Sequence, residues 1–327
     1  MRSMATFLLT GAAGFIGART GELLLADGHE VVGIDNLNDY YAPALKEHRL
    51  RPLLEHRAFD FHRGDIEDRT TIDALFGRHR FDGVINLAAR AGVRASITDP
   101  HVYLSTNTLG TLNLLEAMRQ HRVRKFVVAS TSSLYAGTTM PFRETTSVNH
   151  PLSPYAASKL AAEAMAYTYH HLHDMDVTVL RYFTVYGPAG RPDMSPYRFL
   201  RWIDEGTPIQ VYGDGSQTRD FTYIDDIARG TVSALRPLGY EIVNLGGGNV
   251  PLPISRMIQL LEQQLGRTAE LVHQPFHAAE MRDTQADISK ARALLGWQPT
   301  VAPEEGFRRT VEWYLAHRDW LRSHVPL

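Results

Sequence analysis

Tyr155 and Lys159 stand four residues apart in Ser153-Pro154-Tyr155-Ala156-Ala157-Ser158-Lys159. That spacing puts a phenol and an ammonium on one face of a helix. Pro154 suits a first helical turn and Ser153 can cap it, so the phenol falls at a helix start with the lysine one turn on. A phenol, with a reference pKa of about 10, is a poor base at neutral pH. A cation about 4 Å away contributes roughly 4 kcal/mol at an effective dielectric of about 20, or roughly 3 pKa units, which predicts a general base at Tyr155 near neutrality. Taken alone, the pattern also describes many ordinary helices.

A second cluster of reactive types is Ser130-Thr131-Ser132-Ser133, hydroxyl residues that close an apolar run. The carboxyl end of a strand is where an open α/β sheet meets its ligand, and hydroxyls there can hydrogen-bond a sugar oxygen. No Asp or Glu interrupts them, so no carboxylic acid is at hand to protonate a leaving hydroxyl. Arg94, Arg191 and Arg219, with Arg282 as a weaker candidate, can each bind a carboxylate or diphosphate in a fork that lysine cannot copy. His170 and His173 share a helical face, but histidines at a helix C-terminus are favoured by the dipole, and no metal site is predicted. No GxSxG, HExxH or P-loop pattern occurs.

The elements that must carry these groups alternate. Residues 5–10 form a short apolar run, Gly11-Ala12-Ala13-Gly14-Phe15-Ile16-Gly17 follows, and 18–26 reads as a helix. A glycine turn between strand and helix lets a diphosphate approach free backbone amides at the positive end of a helix dipole. The strand at 30–34 ends in Asp35, whose carboxylate would accept hydrogen bonds from an unmodified ribose and repel a 2′-phosphate, pointing to NAD over NADP. Strands at 58–62, 83–87, 125–130 and 177–182 alternate with helices at 69–77, 103–120 and 155–173. This is the rhythm of a doubly wound parallel (Rossmann) α/β sheet. Asp65 and Ile66 would lie near an adenine; Leu87, Ala88 and Ala89 offer small side chains where a cofactor lies against backbone.

After Tyr186 the character changes. A Rossmann unit is predicted over 1–186, with 222–245 returning to it as helix and strand; 187–221 and 246–327 form a smaller α/β substrate lobe with helices at 196–205, 255–265, 289–294 and 303–318. At net charge −2 with no run of like charges, no nucleic-acid or anionic-membrane partner is predicted, and the absence of cysteine excludes disulfides and thiolate chemistry. No stretch of the sequence reads as a signal peptide or a membrane span, and a cytoplasmic protein is expected.

With Gly11, Gly14, Gly17, Asp35, Asn107, the Thr131 run and Tyr155-xxx-Lys159 in order, the chain resembles the extended short-chain dehydrogenase/reductase family. Within it, residues 181–194 (Arg-Tyr-Phe-Thr-Val-Tyr-Gly-Pro-Ala-Gly-Arg-Pro-Asp-Met) and 219–227 (Arg-Asp-Phe-Thr-Tyr-Ile-Asp-Asp-Ile) look like the UDP-glucuronate 4-epimerases. The resemblance implies bound NAD, contacted by Gly11, Gly14, Phe15, Ile16, Gly17, Asp35, Asn36, Asp65, Ile66, Leu87, Ala88, Ala89, Asn107, Tyr155, Lys159 and Tyr182. It implies that Tyr155, beside Lys159, takes the 4-hydroxyl proton while Thr131 hydrogen-bonds the same oxygen and hydride passes from C4 to NAD. The resulting UDP-4-keto sugar would turn over and be reduced on its other face. Arg191, with Thr184, Ser132 and Ser133, is then placed to restrain a uronate carboxylate, while Arg94 and Arg219 serve the sugar and diphosphate; Arg282 stays a weaker substrate-binding candidate. Related 4,6-dehydratases and decarboxylases carry acids where Ser132 and Ser133 stand, so epimerisation is the implied outcome. The implied alternatives are a UDP-glucose or UDP-N-acetylhexosamine 4-epimerase, a UDP-glucuronate decarboxylase, or a non-catalytic NAD-binding protein. A homodimer follows by analogy, through helices 103–120 and 155–173. Ala136, in place of glycine after Tyr135, and 273–280 depart from the family pattern.

Overall fold

The computed structural model describes residues 4–248, 250–275 and 281–327. Seven strands, β1 (Thr6–Thr10), β2 (Glu30–Asp35), β3 (Phe59–Arg63), β4 (Gly83–Asn86), β5 (Lys125–Thr131), β6 (Asp176–Tyr182) and β7 (Tyr240–Leu245), pair in parallel in the order β7-β6-β5-β4-β1-β2-β3. Every residue of β4 and β5 is buried, as apolar runs covered on both faces require. One apolar cluster lies on each side of the sheet. The chain adds strands outward through β2 and β3, then returns to the other side of β1 with β4. That reversal opens a crevice beyond the carboxyl ends of β1 and β4.

The helices that matter for the site are α1 (Phe15–Ala26), α2 (Pro43–Leu54), α3 (Arg69–Arg78), α4 (Gly110–His121) and α5 (Pro154–His173). α5 starts as its sequence predicts, with Pro154 in the first turn and the Ser153 hydroxyl accepting from the Ala156 amide at 3.2 Å. The helix expected over 103–120 is instead broken: Pro100–Tyr103 leads into a π-helical stretch, Leu104–Leu109, before α4 begins. The wider turn is matched by the Asn107 carboxamide, which bonds both the amide and the carbonyl of Arg90 and the Ser158 hydroxyl, each at 2.9 Å.

A third apolar cluster is built by α6 (Ser195–Glu205), α8 (Ile254–Leu265) and α9 (Pro303–Ala316), while α7 (Ile224–Ser233) packs on α1 beside the sheet. Ile209–Tyr212 and Leu271–Gln274 pair in parallel at its edge. The helix predicted to reach 318 stops at Ala316, and Arg318–His324 forms a separate short helix. Leu45 of α2 is buried in this third cluster, so α2 joins it to the sheet. Among the described residues no helix is long and apolar enough to cross a membrane. Of the segment 273–280, residues 276–280 lie outside the described residues.

Candidate active site

The glycine turn is dictated by contact distances. A Cβ on Gly17 would stand 1.9 Å from the Gly11 carbonyl oxygen, and one on Gly11, whose φ is +68°, would stand 2.7 Å from the Ala88 amide nitrogen. Only glycine allows β1, α1 and the end of β4 to approach this closely. Gly14 caps α1 without any side-chain hydrogen bond, so the first amides of the helix are left for a ligand. At the tip of β2, Asp35 accepts from the amides of Ala13 (3.1 Å) and Leu37 (2.8 Å), while Asn36 donates to Asp65 at 2.7 Å. Small side chains at Ala88 and Ala89 continue the wall.

These residues line one cleft of about 680 Å³ that runs from the crevice to the third apolar cluster. It brings together every candidate of the sequence except two. Asn107 does not line the cleft: both ends of its amide are spent on Arg90 and Ser158, so it braces α5 and the Arg90 segment from behind. Arg282 is exposed and outside the lining, its guanidinium 3.5 Å from the Ser216 hydroxyl. Its contribution is a carbonyl that accepts from Arg219 Nη1 at 2.9 Å. Tyr182 lines the cleft, but its phenol is committed to Thr231 at 2.8 Å.

At the centre, Tyr155 and Lys159 reach the cleft from α5, opposite Thr131, Ser132 and Ser133 at the end of β5. Burial pushes the Tyr155 phenol above its ordinary pKa, while a hydrogen bond with Thr131 and the charge of Arg191 pull it back. Thr131 and Arg191, rather than the Lys159 charge, are the groups that oppose burial at the phenol. Lys159 donates to the Ala129 carbonyl at 2.9 Å, and burial lowers its own pKa to about 8 against the field of Glu163. Beneath it lies a sealed network. Arg181 forks onto Glu163 at 2.9 and 2.7 Å and donates to the Tyr135 hydroxyl at 2.9 Å, and Ser130 donates to the same carboxylate.

The far wall is cationic and aromatic. Arg94 lies over the Tyr212 ring with 4.0 Å to the centroid and Arg198 over Trp202 with 4.4 Å, all four lining the cleft. Arg191 forks onto Asp193 at 3.1 and 2.6 Å; burial lowers its pKa, but Asp193 together with Tyr40 and Tyr41 holds it above the ordinary arginine value. Asp220 is a buried hub whose carboxylate accepts amides of Gly247, Gly248 and Ala286; burial raises its pKa to about 6. Tyr40, Lys46, Arg90, Arg198 and Trp202 also line the cleft and escaped sequence reasoning. Only the aromatic-cationic composition of their segments hinted at them.

The donor set fits a dinucleotide: a glycine cradle at a helix start, carboxylates at the tips of β2 and β3, and a Tyr and Lys where the sheet ends. A family model described as NAD dependent epimerase/dehydratase family matches residues 7–246. The chain belongs to that family. Among its relatives in this epimerase/dehydratase family, a UDP-glucuronate 4-epimerase of Thermodesulfobacterium geofontis is 53% identical over 320 residues, covering 98% of this chain and 99% of its own. The solved structure of the Bacillus cereus UDP-glucuronic acid 4-epimerase, in complex with UDP-glucuronic acid and NAD, superposes with a TM-score of 0.89 at 37% identity, covering 95% of this chain and 99% of that one. A Thermotoga maritima UDP-glucose 4-epimerase with UDP-glucose gives 0.87 at 31% identity, covering 96% and 99%.

Proposed function

We propose that this protein is an NAD-dependent isomerase that inverts C4 of UDP-glucuronate to give UDP-galacturonate. The observation that carries the reading is that one cleft holds Tyr155 and Thr131 together with Arg191, close enough for the Arg191 charge to act on the phenol. Bound NAD supplies hydride acceptance from C4 and its return.

Everything else falls to the chain. The glycine turn, Asp35, Asn36 and Asp65 would hold the adenosine end of the cofactor, and Lys159 would hold its ribose from α5. Thr131 orients the 4-oxygen, and Tyr155 takes its proton and later gives one back. The Arg191 charge and the Thr131 hydrogen bond favour the phenolate that this step needs. Arg94, Arg198 and Arg219 grip the nucleotide diphosphate while the sugar turns over about that linkage. A 4-keto uronate is a β-keto acid, whose C5–C6 bond breaks with loss of carbon dioxide when the carboxylate rotates out of restraint. Arg191, Thr184, Ser132 and Ser133 oppose that rotation, and the two serines offer no acid for elimination. Product analysis of UDP-glucuronate by NMR tests the reading: a galacturonate isomer is expected, and its absence with intact cofactor refutes it.

The Arg191–Asp193 pair favours one second reading, in which Arg191 is structural and the substrate is a neutral UDP-hexose. Arg191→Ala would then leave turnover of that sugar intact. The residue division at 186, with 222–245 returning to the sheet, marks the cofactor side and the nucleotide-sugar side. The protein acts in the cytoplasm as a homodimer. Leu104 and Leu109 of the π stretch and Tyr167 and Leu172 of α5 stand exposed on the surfaces that pair, and this supports the dimer.

A further inference from the structure

The loop after Tyr186 brings Arg191 to the cleft along a forced path. Ala189 has a φ of +54°, a left-handed conformation unusual for a side chain with a Cβ. It is held there by Arg49 of α2, which donates to the Ala189 carbonyl at 2.8 Å, the Gly190 carbonyl at 3.2 Å and the Tyr41 hydroxyl at 2.6 Å. The backbone that delivers Arg191 is thus fixed from the buried side of α2.

The Arg191 guanidinium is fixed as well. Its Nε donates to Asp193 Oδ1 at 3.1 Å and its Nη2 to Oδ2 at 2.6 Å, which occupies one bidentate edge. Nη2 also donates to the Ala91 carbonyl at 3.1 Å, an oxygen that the Tyr40 hydroxyl shares at 2.8 Å, and the Tyr40 ring lies 5.7 Å from the guanidinium carbon. A guanidinium has five N–H donors. Three of them are spent on the protein, and among the described residues the two on Nη1 have no hydrogen-bond partner.

We propose that Asp193 is a positioning residue for substrate choice: by holding the Nε–Nη2 edge of Arg191, it leaves Nη1 as the edge that receives the carboxylate of a UDP-uronate. The proposal rests on the uronate reading above and adds a reason for its selectivity. A free arginine samples many rotamers and loses that freedom on binding. Asp193 removes that loss beforehand. It also balances the arginine charge, so the carboxylate is held by oriented hydrogen bonds. A neutral hexose offers Nη1 only a 6-hydroxyl, a single uncharged acceptor in place of a charged two-oxygen one, and gains less from the pair.

The test is a double-mutant cycle in a Tyr155→Phe background, which removes the proton acceptor so that binding is measured without turnover. Calorimetric Kd values for UDP-glucuronate, UDP-glucose and UDP are compared across the parent, Asp193→Asn, Arg191→Ala and the double variant, each preloaded with NAD. Asp193→Asn is expected to weaken UDP-glucuronate about ten-fold and leave UDP-glucose and UDP within about two-fold. It should add no further loss once Arg191 is alanine. Asp193→Ser should behave alike, so a folding failure peculiar to one variant does not decide the matter. Equal weakening of all three ligands, tighter binding of UDP-glucuronate, or a loss that persists without Arg191 would overturn the role given to Asp193. If Arg191→Ala itself fails to discriminate the two sugars, the uronate reading fails instead. A uronate-specific loss in Arg191→Ala with none in Asp193→Asn removes only Asp193.

Discussion

Two arginine–carboxylate forks of nearly the same geometry lie on opposite sides of the reacting centre. Arg181 and Glu163, 2% and 5% exposed, are sealed beneath Lys159, with Ser130 and Tyr135 satisfying the remaining edges. Arg191 and Asp193, 20% and 35% exposed, stand in the cleft with part of the guanidinium unspent. A buried fork must be complete, because an unpaired charge in the interior costs several kcal/mol. A fork at the edge of water can stay incomplete and keep donors for a ligand. The first therefore sets the shape of the floor, and the second keeps hydrogen-bond donors open to the cleft. Lys159 stands between these extremes as a buried cation given one carbonyl and the field of a carboxylate already forked to Arg181.

The contrast can be broken most forcefully at the sealed fork. Glu163→Gln leaves Arg181 charged and half-partnered in the interior, and should lower unfolding free energy by about 3–5 kcal/mol, read from denaturant midpoints. A loss below about 1 kcal/mol would mean the network is not sealed. At the open fork the effect should appear in function: Arg191→Ala should raise KM for UDP-glucuronate by about 10- to 100-fold while leaving KM for UDP-glucose nearly unchanged. Lys159→Met should cost activity yet stabilise the protein measured without added nucleotide. Burial moves the Lys159 pKa from 10.5 to about 8, so the native state binds this proton less tightly than the unfolded chain. The penalty is full below pH 8 and fades as pH rises to 10.5, so the variant should gain about 1–3 kcal/mol at pH 7 and progressively less across that window. The smallest expected change is in the stability of Asp193→Asn. A partly exposed pair is worth at most about 1 kcal/mol, so the midpoint should hardly move even where uronate binding suffers.

The sealed half was far more legible in the sequence than the open half. Strands buried on both faces announce themselves as apolar runs; β1 to β6 each lie within a residue or so of their predicted spans, and β7 falls inside the returning segment 222–245. The glycine turn, Asp35, the hydroxyls after β5 and the Tyr155 helix were readable because backbone sterics and helix spacing dictate them. The open half depends on irregular chain. Tyr40, Arg90 and Lys46 reach the cleft from loops and from α2, a largely polar helix with Pro52 inside it that no periodicity revealed. Asn107 was named from the resemblance alone, and the π stretch that turns its amide onto Arg90 and Ser158 left no mark in the periodicity. Arg282 was taken for a ligand group from its motif alone, whereas its carbonyl supports Arg219. Arg191 was correctly brought to the cleft, yet its fork to Asp193 joins two side chains by geometry that residue types do not encode.

The central claim is that hydride leaves C4 and returns to the same carbon inside one cleft. The most direct measurement follows UDP-glucuronate deuterated at C4 by NMR and mass spectrometry as it is converted. The account predicts UDP-galacturonate that retains deuterium at C4 and, from unlabelled substrate in heavy water, product with none there. Loss of the label to solvent, or solvent deuterium appearing at C4, would contradict it.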